Sequence, residues 1–387
     1  MRLFAFGSNG SGQLGIGHQE DVSKPTQCLF SAGIESNALS KDLNEEITTI
    51  AAGGNHTLLL TRSGAVYATG DNTDGRCGQT STSNQNNRPA DVFNRLTLTG
   101  ASGPVTEFTH ISATWEGSIL VTSEASGDQV YVLGTNTKGE LGVTEALVSS
   151  AACVPDFPPP GMRVTALASG MAHSVAVLSN GDVWGWGGAR KGQLGDENVA
   201  KIAKPVRIEV PFFAEKVACG REFSVVSGGG QFVVLGDPGN RWGILKLPAC
   251  FEVPGESRSR GLIRYPCSDI RASWHGIYVH AAGLEGGDAE DEVASLLAWG
   301  RNDRGQIPPQ TLPSPAVLAV GSEHAVALLK DGRVAACGWG EHGNCGSDLD
   351  ALRNVADRVN IISLPETVDG KVIGVGAGCA TSWMVVE

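Results

Sequence analysis

The sequence predicts an all-β fold, a seven-bladed β-propeller of four-stranded antiparallel blades, its ring closed by pairing of the N- and C-terminal strands. Three observations predict it. An apolar strand running into glycine, then a polar turn, then Gly-Gln-Leu-Gly, first seen at Phe4–Gly15, occurs seven times. A second signature, Gly-x-x-His with a small or hydroxyl residue and an apolar run, alternates with it. Each terminus carries half of a repeat. Self-similarity on this length scale marks a repeat architecture.

The turn-bearing copies are FAFGSNGSGQLG (Phe4–Gly15), VYATGDNTDGRCG (Val66–Gly78), VYVLGTNTKGELG (Val130–Gly142), VWGWGGARKGQLG (Val183–Gly195), FVVLGDPGNRWGIL (Phe232–Leu245), LLAWGRNDRGQI (Leu296–Ile307) and AACGWGEHGNCG (Ala335–Gly346). Their strand-ending glycines read as Gly7, Gly70, Gly134, Gly187, Gly236, Gly300 and Gly340. The second signature is clearest in IAAGGNHTLLLT (Ile50–Thr61), LASGMAHSVAVL (Leu167–Leu178) and AVGSEHAVALL (Ala319–Leu329). Degenerate copies stand at Ile111–Thr122, Val217–Val226 and Ile270–Val279. Each ends in a short apolar run without alternation, the pattern of a strand buried on both faces. Ser63-Gly64, Asn180-Gly181 and Asp331-Gly332 fall between apolar strands at hairpin spacing. Pro25, Pro89 and Pro205 open the variable outer segments, where an edge strand tolerates proline.

The termini explain each other. Val375–Val386 is a buried-strand copy with no hairpin partner after it, and Leu3–Gly7 is a hairpin strand with none before it. Pairing them closes the ring, so residues 1–387 read as one propeller domain. Three insertions read as solvated loops: Thr80–Asn87, Val154–Gly161 with its Pro158-Pro159-Pro160 run, and the acidic Gly283–Ser295. The last is also a candidate docking patch for a basic partner.

Composition narrows the function. The 29 basic and 41 acidic residues give a net charge of −12, which argues against direct DNA binding by phosphate neutralisation. Nine cysteines, with no CxxC pair, suit a reducing compartment. The first repeat begins at once after Met1, leaving no room for a signal peptide, and no apolar run reaches the roughly 18 residues of a membrane helix. The expectation is a soluble protein of cytoplasm and nucleus.

Several motifs imitate chemistry. GSGQLG at Gly10–Gly15 matches the dinucleotide fingerprint, but that fingerprint needs a following helix, and the repeat explains the match. Cys337, His342 and Cys345 lack a fourth zinc ligand and read as buried cysteines beside a turn histidine. His56, His173 and His324 share one repeat position and read as structural groups bonded to a neighbouring blade's backbone. Gly53, Gly170 and Gly321 beside them read as supplying a backbone conformation that a Cβ would forbid. The hydroxyls that follow the histidine position, Thr57, Ser118, Ser174 and Ser224, recur across blades and read as packing rather than nucleophiles. No enzyme, metal or cofactor is expected.

One ring of positions varies. The two residues after the signature's first small residue read Gly54-Asn55, Trp115-Glu116, Met171-Ala172, Arg221-Glu222, Trp274-His275, Ser322-Glu323 and Cys379-Ala380. Repeat logic places them just before the inner strand, around one mouth of the ring. Trp115, Met171, Arg221 and Trp274 then form an arc over four consecutive blades, with Glu116, Glu222 and His275 between them. Trp and Arg ringed by polar groups is the composition of a binding hot spot. The alternative is that both tryptophans lean back and plug the channel.

Seven such turns alternating with Gly-x-x-His-Ser/Thr resemble the regulator of chromosome condensation repeat family across nearly the whole chain. FGSNGSGQLG, GGNHTLLLTRSGAVYATG and SGMAHSVAVLSNGDVWGWG carry the resemblance. GWGEHGNCG at Gly338–Gly346 and the start directly at the first blade are similar to the fungal α-tubulin-suppressor, or killer-toxin-insensitivity, branch. That branch implies a heterodimer with a small zinc-binding electron-carrier protein, in support of diphthamide synthesis and of tRNA wobble-uridine modification by the Elongator complex. The family's founding member implies the alternative, a guanine-nucleotide exchange factor for a small GTPase acting through acidic mouth residues. The plant ultraviolet-receptor branch implies light sensing by stacked tryptophans, and Trp115 and Trp274, three blades apart, are expected to lie too far apart to stack.

Overall fold

The computed structural model describes residues 1–31, 39–78, 90–100, 103–125, 127–196, 198–246, 263–264, 267–281 and 296–387. The acidic insertion Gly283–Ser295, the polar Thr80–Asn87 and Pro89 lie outside them. Seven antiparallel blades form the ring, named here in chain order and given from the innermost strand outward. Blade one is Ile47–Ala52, His56–Thr61, Val66–Gly70 and Ala90–Arg95, extended outward by Phe30–Ser31 and Leu39–Ser40. Blade two is His110–Ala113, Gly117–Glu124, Gly127–Thr135 and Leu147–Cys153, and blade three is Val164–Ser169, His173–Leu178, Val183–Gly188 and Lys201–Ile208. Blade four is Lys216–Cys219, Phe223–Gly228, Gln231–Gly236 and Ile263–Arg264. Blade five has three strands among the described residues, Cys267–Ser273, Gly276–Ala281 and Leu296–Gly300. Blade six is Pro315–Val320, His324–Leu329, Val334–Trp339 and Asn354–Ile362.

Blade seven joins the termini as expected. Val372–Ala377, Thr381–Val386, Arg2–Gly7 and Val22–Gln27 form one sheet, with Arg2 opposite Val386 and Gly7 opposite Thr381. Six consecutive residue pairs make this seam, so the ring closes by a full strand ladder and not by a side-chain contact. No helix in the described residues is long and apolar enough to cross a membrane.

Two registers differ from the sequence reading. The run before each variable pair is itself a strand, the innermost one, and ends in Ala52, Ala113, Ser169, Cys219, Ser273, Val320 or Ala377. Seven strands converge there, and small side chains let them approach; that smallness hides the strand in an apolar pattern. The apolar runs are the second strands, and those of blades one, three, four, six and seven are buried at every residue. The variable pairs therefore lie in the turn after the innermost strand, not before it. In blade six the strand-ending glycine is Gly338, not Gly340: Gly338 lies opposite His324 as Gly70 lies opposite His56. Its φ of 115° matches the 105° of Gly70. The Gly-Trp-Gly sequence offers two glycines, and the ladder selects one.

The blades are clasped together at the histidines. His56 Nε2 lies 3.0 Å from Ser118 Oγ of the next blade, His173 3.0 Å from Ser224, and His324 2.9 Å from Ser382. Each serine Oγ in turn donates to a backbone carbonyl in the turn of the histidine's own blade: Arg76, Gln193 and Asn344. A hydroxyl has one proton. It is given to the carbonyl, so the imidazole must donate from Nε2. The partner is thus a side-chain hydroxyl, where the sequence reading expected backbone; repeat spacing locates the histidine but not what faces it across the blade gap. Thr57 holds the Gln13 carbonyl of blade seven in the same way, at 2.8 Å.

The neighbouring glycines are needed for space, not for φ. A Cβ at Gly53 would stand 2.2 Å from His56 Cε1 and 2.5 Å from the Thr114 carbonyl oxygen of the next blade. At Gly170 and Gly321 the next blade's carbonyl would be met at 2.2 and 2.4 Å.

Burial holds the three imidazoles neutral. It pulls His56 from 6.5 down to about 3, and His173 and His324 to about 4. The unfolded chain takes up these protons near pH 6.5 and the folded chain refuses them, so the contribution is complete above that pH. It is lost as pH falls through the window from about 6.5 to about 4, His56 continuing to about 3. Urea titrations across this range are expected to show stability falling with pH, by at most about 4 kcal/mol per unit for the three together. Ser118→Ala leaves the His56 Nε2–H and the Arg76 carbonyl without their partner and is expected to cost about 1–3 kcal/mol at neutral pH, read from the same titrations.

Candidate functional site

Strand three of each blade ends beside the start of strand two, as Gly70 lies opposite His56. The variable pairs and the glycine-rich turns therefore share one face of the ring. Side chains at two positions, singly or together, shape six of the turns. Asn9, Asn72, Asn136, Asn240 and Asn302 accept through Oδ1 from an amide five residues on, at 2.8–3.0 Å. Gln13, Glu140, Gln193 and Gln306 accept from an amide two residues back. Side-chain oxygens thus fold the turn, and the other turn positions are free to vary.

The variable pairs are held by backbone bonds between blades. Gly54 N donates to Trp115 O at 2.9 Å, and Trp115 N to Met171 O at 3.0 Å. Arg221 N donates to Trp274 O, Trp274 N to Ser322 O and Ser322 N to Gly378 O, at 2.9–3.0 Å. Side chains on this circle therefore start from fixed anchors.

Trp115 and Trp274 lean inward. Their ring centroids are 5.7 Å apart at an interplanar angle of 44°, and both rings border an axial cavity of about 120 Å³ that Met171 also lines. The expectation that they lie too far apart to stack is wrong: blades two and five face each other across a channel narrow enough for two indoles to span. The pair acts as the plug that the sequence left as an alternative. Blade one makes room for it, because a Cβ at Gly54 would meet the Trp115 ring at 2.7 Å. Arg221 sits with its guanidinium 5.3 Å from the Trp274 centroid. Glu222 is exposed, while Met171, Arg221, Glu116 and His275 are half-buried.

Outward from His275 runs a group that sequence reasoning missed. Its imidazole lies 5.9 Å from the Trp242 ring and its Nδ1 3.7 Å from Glu323 Oε1. Arg241 and Arg301 stack on Trp242 at 4.7 and 4.6 Å. Arg301 donates to Glu323 Oε1 at 2.5 Å and reaches both Asp303 oxygens at 2.6 and 3.0 Å. Arg304 stacks on Trp339 at 5.3 Å, and Trp339 meets His342 edge-on at 5.4 Å. His342 Nδ1 lies 2.7 Å from Asp21 Oδ2. Alternating aromatic and guanidinium groups thus cross blades four, five and six. The signal was present in the turn copies, as Arg241-Trp242, Arg301, Arg304 and Trp339 at turn positions that neither Gly, Asn nor Gln requires.

Glu323 is the anchor of this strip. Burial works to raise its pKa, but His275, the Arg301 guanidinium, Gln306 and Arg304 together outweigh it, and the carboxyl is held below its usual value. Cys337 and Cys345, by contrast, are buried thiols. Burial pushes Cys337 up to about 12 and Cys345 well above the ordinary value. His342 turns to Asp21, and no group of three metal-ligating side chains stands together among the described residues.

Ring closure, histidine clasps and Asn/Gln-folded turns together define a seven-bladed repeat propeller with its variable residues gathered on one face. The chain belongs to the RCC1-like domain family, which it matches over residues 2–384. It is 31% identical over 391 aligned positions to an RCC1 repeat-containing protein of Schizosaccharomyces pombe, covering 100% of this chain and 99% of the relative. It is 26% identical to the secretion-regulating guanine nucleotide exchange factor of Mus musculus, covering 100% of this chain and 83% of that protein. Among solved structures, human WBSCR16 superposes with a TM-score of 0.74 at 18% identity, with both chains fully covered, a likeness of fold.

Glu323→Ala would leave Arg301 and Gln306 facing a half-desolvated gap. A loss of about 1.5–3 kcal/mol in urea-unfolding free energy is expected, with the ring fold retained by circular dichroism.

Proposed function

We propose that this chain is a non-catalytic interaction propeller that binds a small protein partner on the channel-mouth face. The observation that carries the reading is a strip of Trp and Arg that starts at the Trp115–Trp274 pair with Arg221 on Trp274, runs by His275 to Trp242 and Arg301, and continues by Glu323 and Arg304 to Trp339. Interface cores are enriched in these residues, and rigid, pre-stacked ones lose little entropy on docking. The motif resemblance supplies the partner class: a small zinc-binding electron-carrier protein held as a heterodimer, in support of diphthamide synthesis and Elongator-dependent wobble-uridine modification.

The test is a pull-down from native extract, wild type beside the Trp115→Ala/Trp274→Ala variant, followed by calorimetry with the purified partner. Recovery of a small zinc protein by the wild type, with each single alanine costing about 2 kcal/mol or more of binding, is the expected result. Unchanged affinity in a variant that melts like wild type removes this site.

A second reading, an exchange factor acting on a small GTPase through Glu116 and Glu222, is supported by the mouse relative's name. Acceleration of nucleotide release from a GTPase recovered in the same pull-down would put it first. The indole contact also supports light sensing more than the sequence did. An absorbance change under ultraviolet illumination would speak for it.

A further inference from the structure

Among the described residues blade five is one strand short, and the shortage is specific. After Gly300 the chain makes its turn and reaches the innermost strand of blade six at Pro315; residues 301–314, all described, contain no strand. The outer edge of Leu296–Gly300 pairs with no strand among the described residues.

The complete blades show what belongs there. Four residues before the strand-ending glycine, strand three meets an apolar residue at the end of the fourth strand or just past it. Val66 O accepts from Leu96 N, Val130 O from Val154 N and Leu3 O from Cys28 N, each at 2.8 Å. Val183 faces Ile208 and Val334 faces Ile362. All five incoming side chains are buried, none more than 7% exposed. In blade five the corresponding residue is Leu296. By the same ladder phase, Leu296, Ala298 and Gly300 turn their amides and carbonyls outward.

A seat is present as well as an edge. Leu296, His280 and Asp269 are cross-strand neighbours in one row. They line a hollow of about 210 Å³ with Tyr278 and with Val317 and Leu318 of blade six. Directly opposed residues of an antiparallel pair point to the same face, so an apolar side chain opposite Leu296 would enter this hollow.

We propose that the fifth blade is completed by a strand from a partner protein. The segment would be extended and antiparallel to Leu296–Gly300, with an apolar residue seated opposite Leu296 and Lys or Arg on its exposed positions. Charge selects the basic character. In a chain of net charge −12, the fourth strands carry seven Lys or Arg, such as Lys24, Arg95, Lys204 and Arg358, against Asp91 and Asp357. A second copy pairing through its own Leu-Leu-Ala-Trp-Gly edge would bring no charge at all. This inference concerns the rim of the ring and does not depend on the mouth-face reading.

The probe is a fluorescein-labelled peptide with the sequence of Asn354–Ile362, titrated into the full chain by anisotropy. Expected is one-site binding that weakens at least tenfold in Ala298→Pro, which removes an outward amide that the inner ladder does not use, and in a peptide carrying Ile362→Asp at the seat. Hydrogen exchange at Leu296, Ala298 and Gly300 should be fast in the free chain and slowed by the peptide. The proposal is overturned by absence of binding, by binding that ignores both changes, by amides already protected in the free monomer, or by a concentration-dependent dimer that Ala298→Pro dissolves. The peptide-side change keeps the test decisive should the proline variant melt early.

Discussion

The structure depends on a three-membered clasp in which an imidazole donates to a hydroxyl of the next blade and that hydroxyl donates back to a turn carbonyl. A propeller blade buries little of its own surface, and its neighbours must be held at one distance for the faces between them to pack. Three polar groups satisfied in series, away from water, set that distance more sharply than apolar contact, which is non-directional. The glycine beside each histidine follows from the same approach, because the neighbouring carbonyl already fills the place of a Cβ.

The clasp also shapes the functional face. At three blade junctions it ties a second strand to the preceding turn, so the turn that carries Trp339 and Asn344 is part of the frame. The inter-blade backbone bonds at the mouth add a second circle inside the first. Residues mounted between two such circles present their rings in set orientations, as the stacking of Arg301 on Trp242 and the meeting of Trp115 with Trp274 illustrate. A face of this kind recognises by shape and by cation–aromatic contact, with Glu323 and Asp303 both bonded to the Arg301 guanidinium.

The blades are not equivalent, and their differences have consequences. Blade one carries extra strands, blade seven is stitched from both termini, and blade five lacks its outer member among the described residues. An exposed strand edge with apolar side chains is a liability unless something covers it, and the chain between Gly300 and Pro315 is too short to do so after making its turn.

The sequence by itself determined the seven repeats, the closure through both ends, the hairpin glycines and the positions of the histidines. Each of these is a local pattern repeated often enough to be read without knowing what it touches. It left hidden the innermost strands, because small residues such as Ala52 and Ser169 carry no apolar period, and it left Gly338 and Gly340 open to confusion. What faces what was decided only by the tertiary structure. The serine opposite each histidine stands some fifty to sixty residues away in the chain, and Trp115 reaches Trp274 because the ring narrows to the span of two indoles. The strip from Trp242 to Trp339 exists because the turns of successive blades come side by side. Contacts across a closed ring join positions that no local pattern relates, and only folding brings them within van der Waals and hydrogen-bond range.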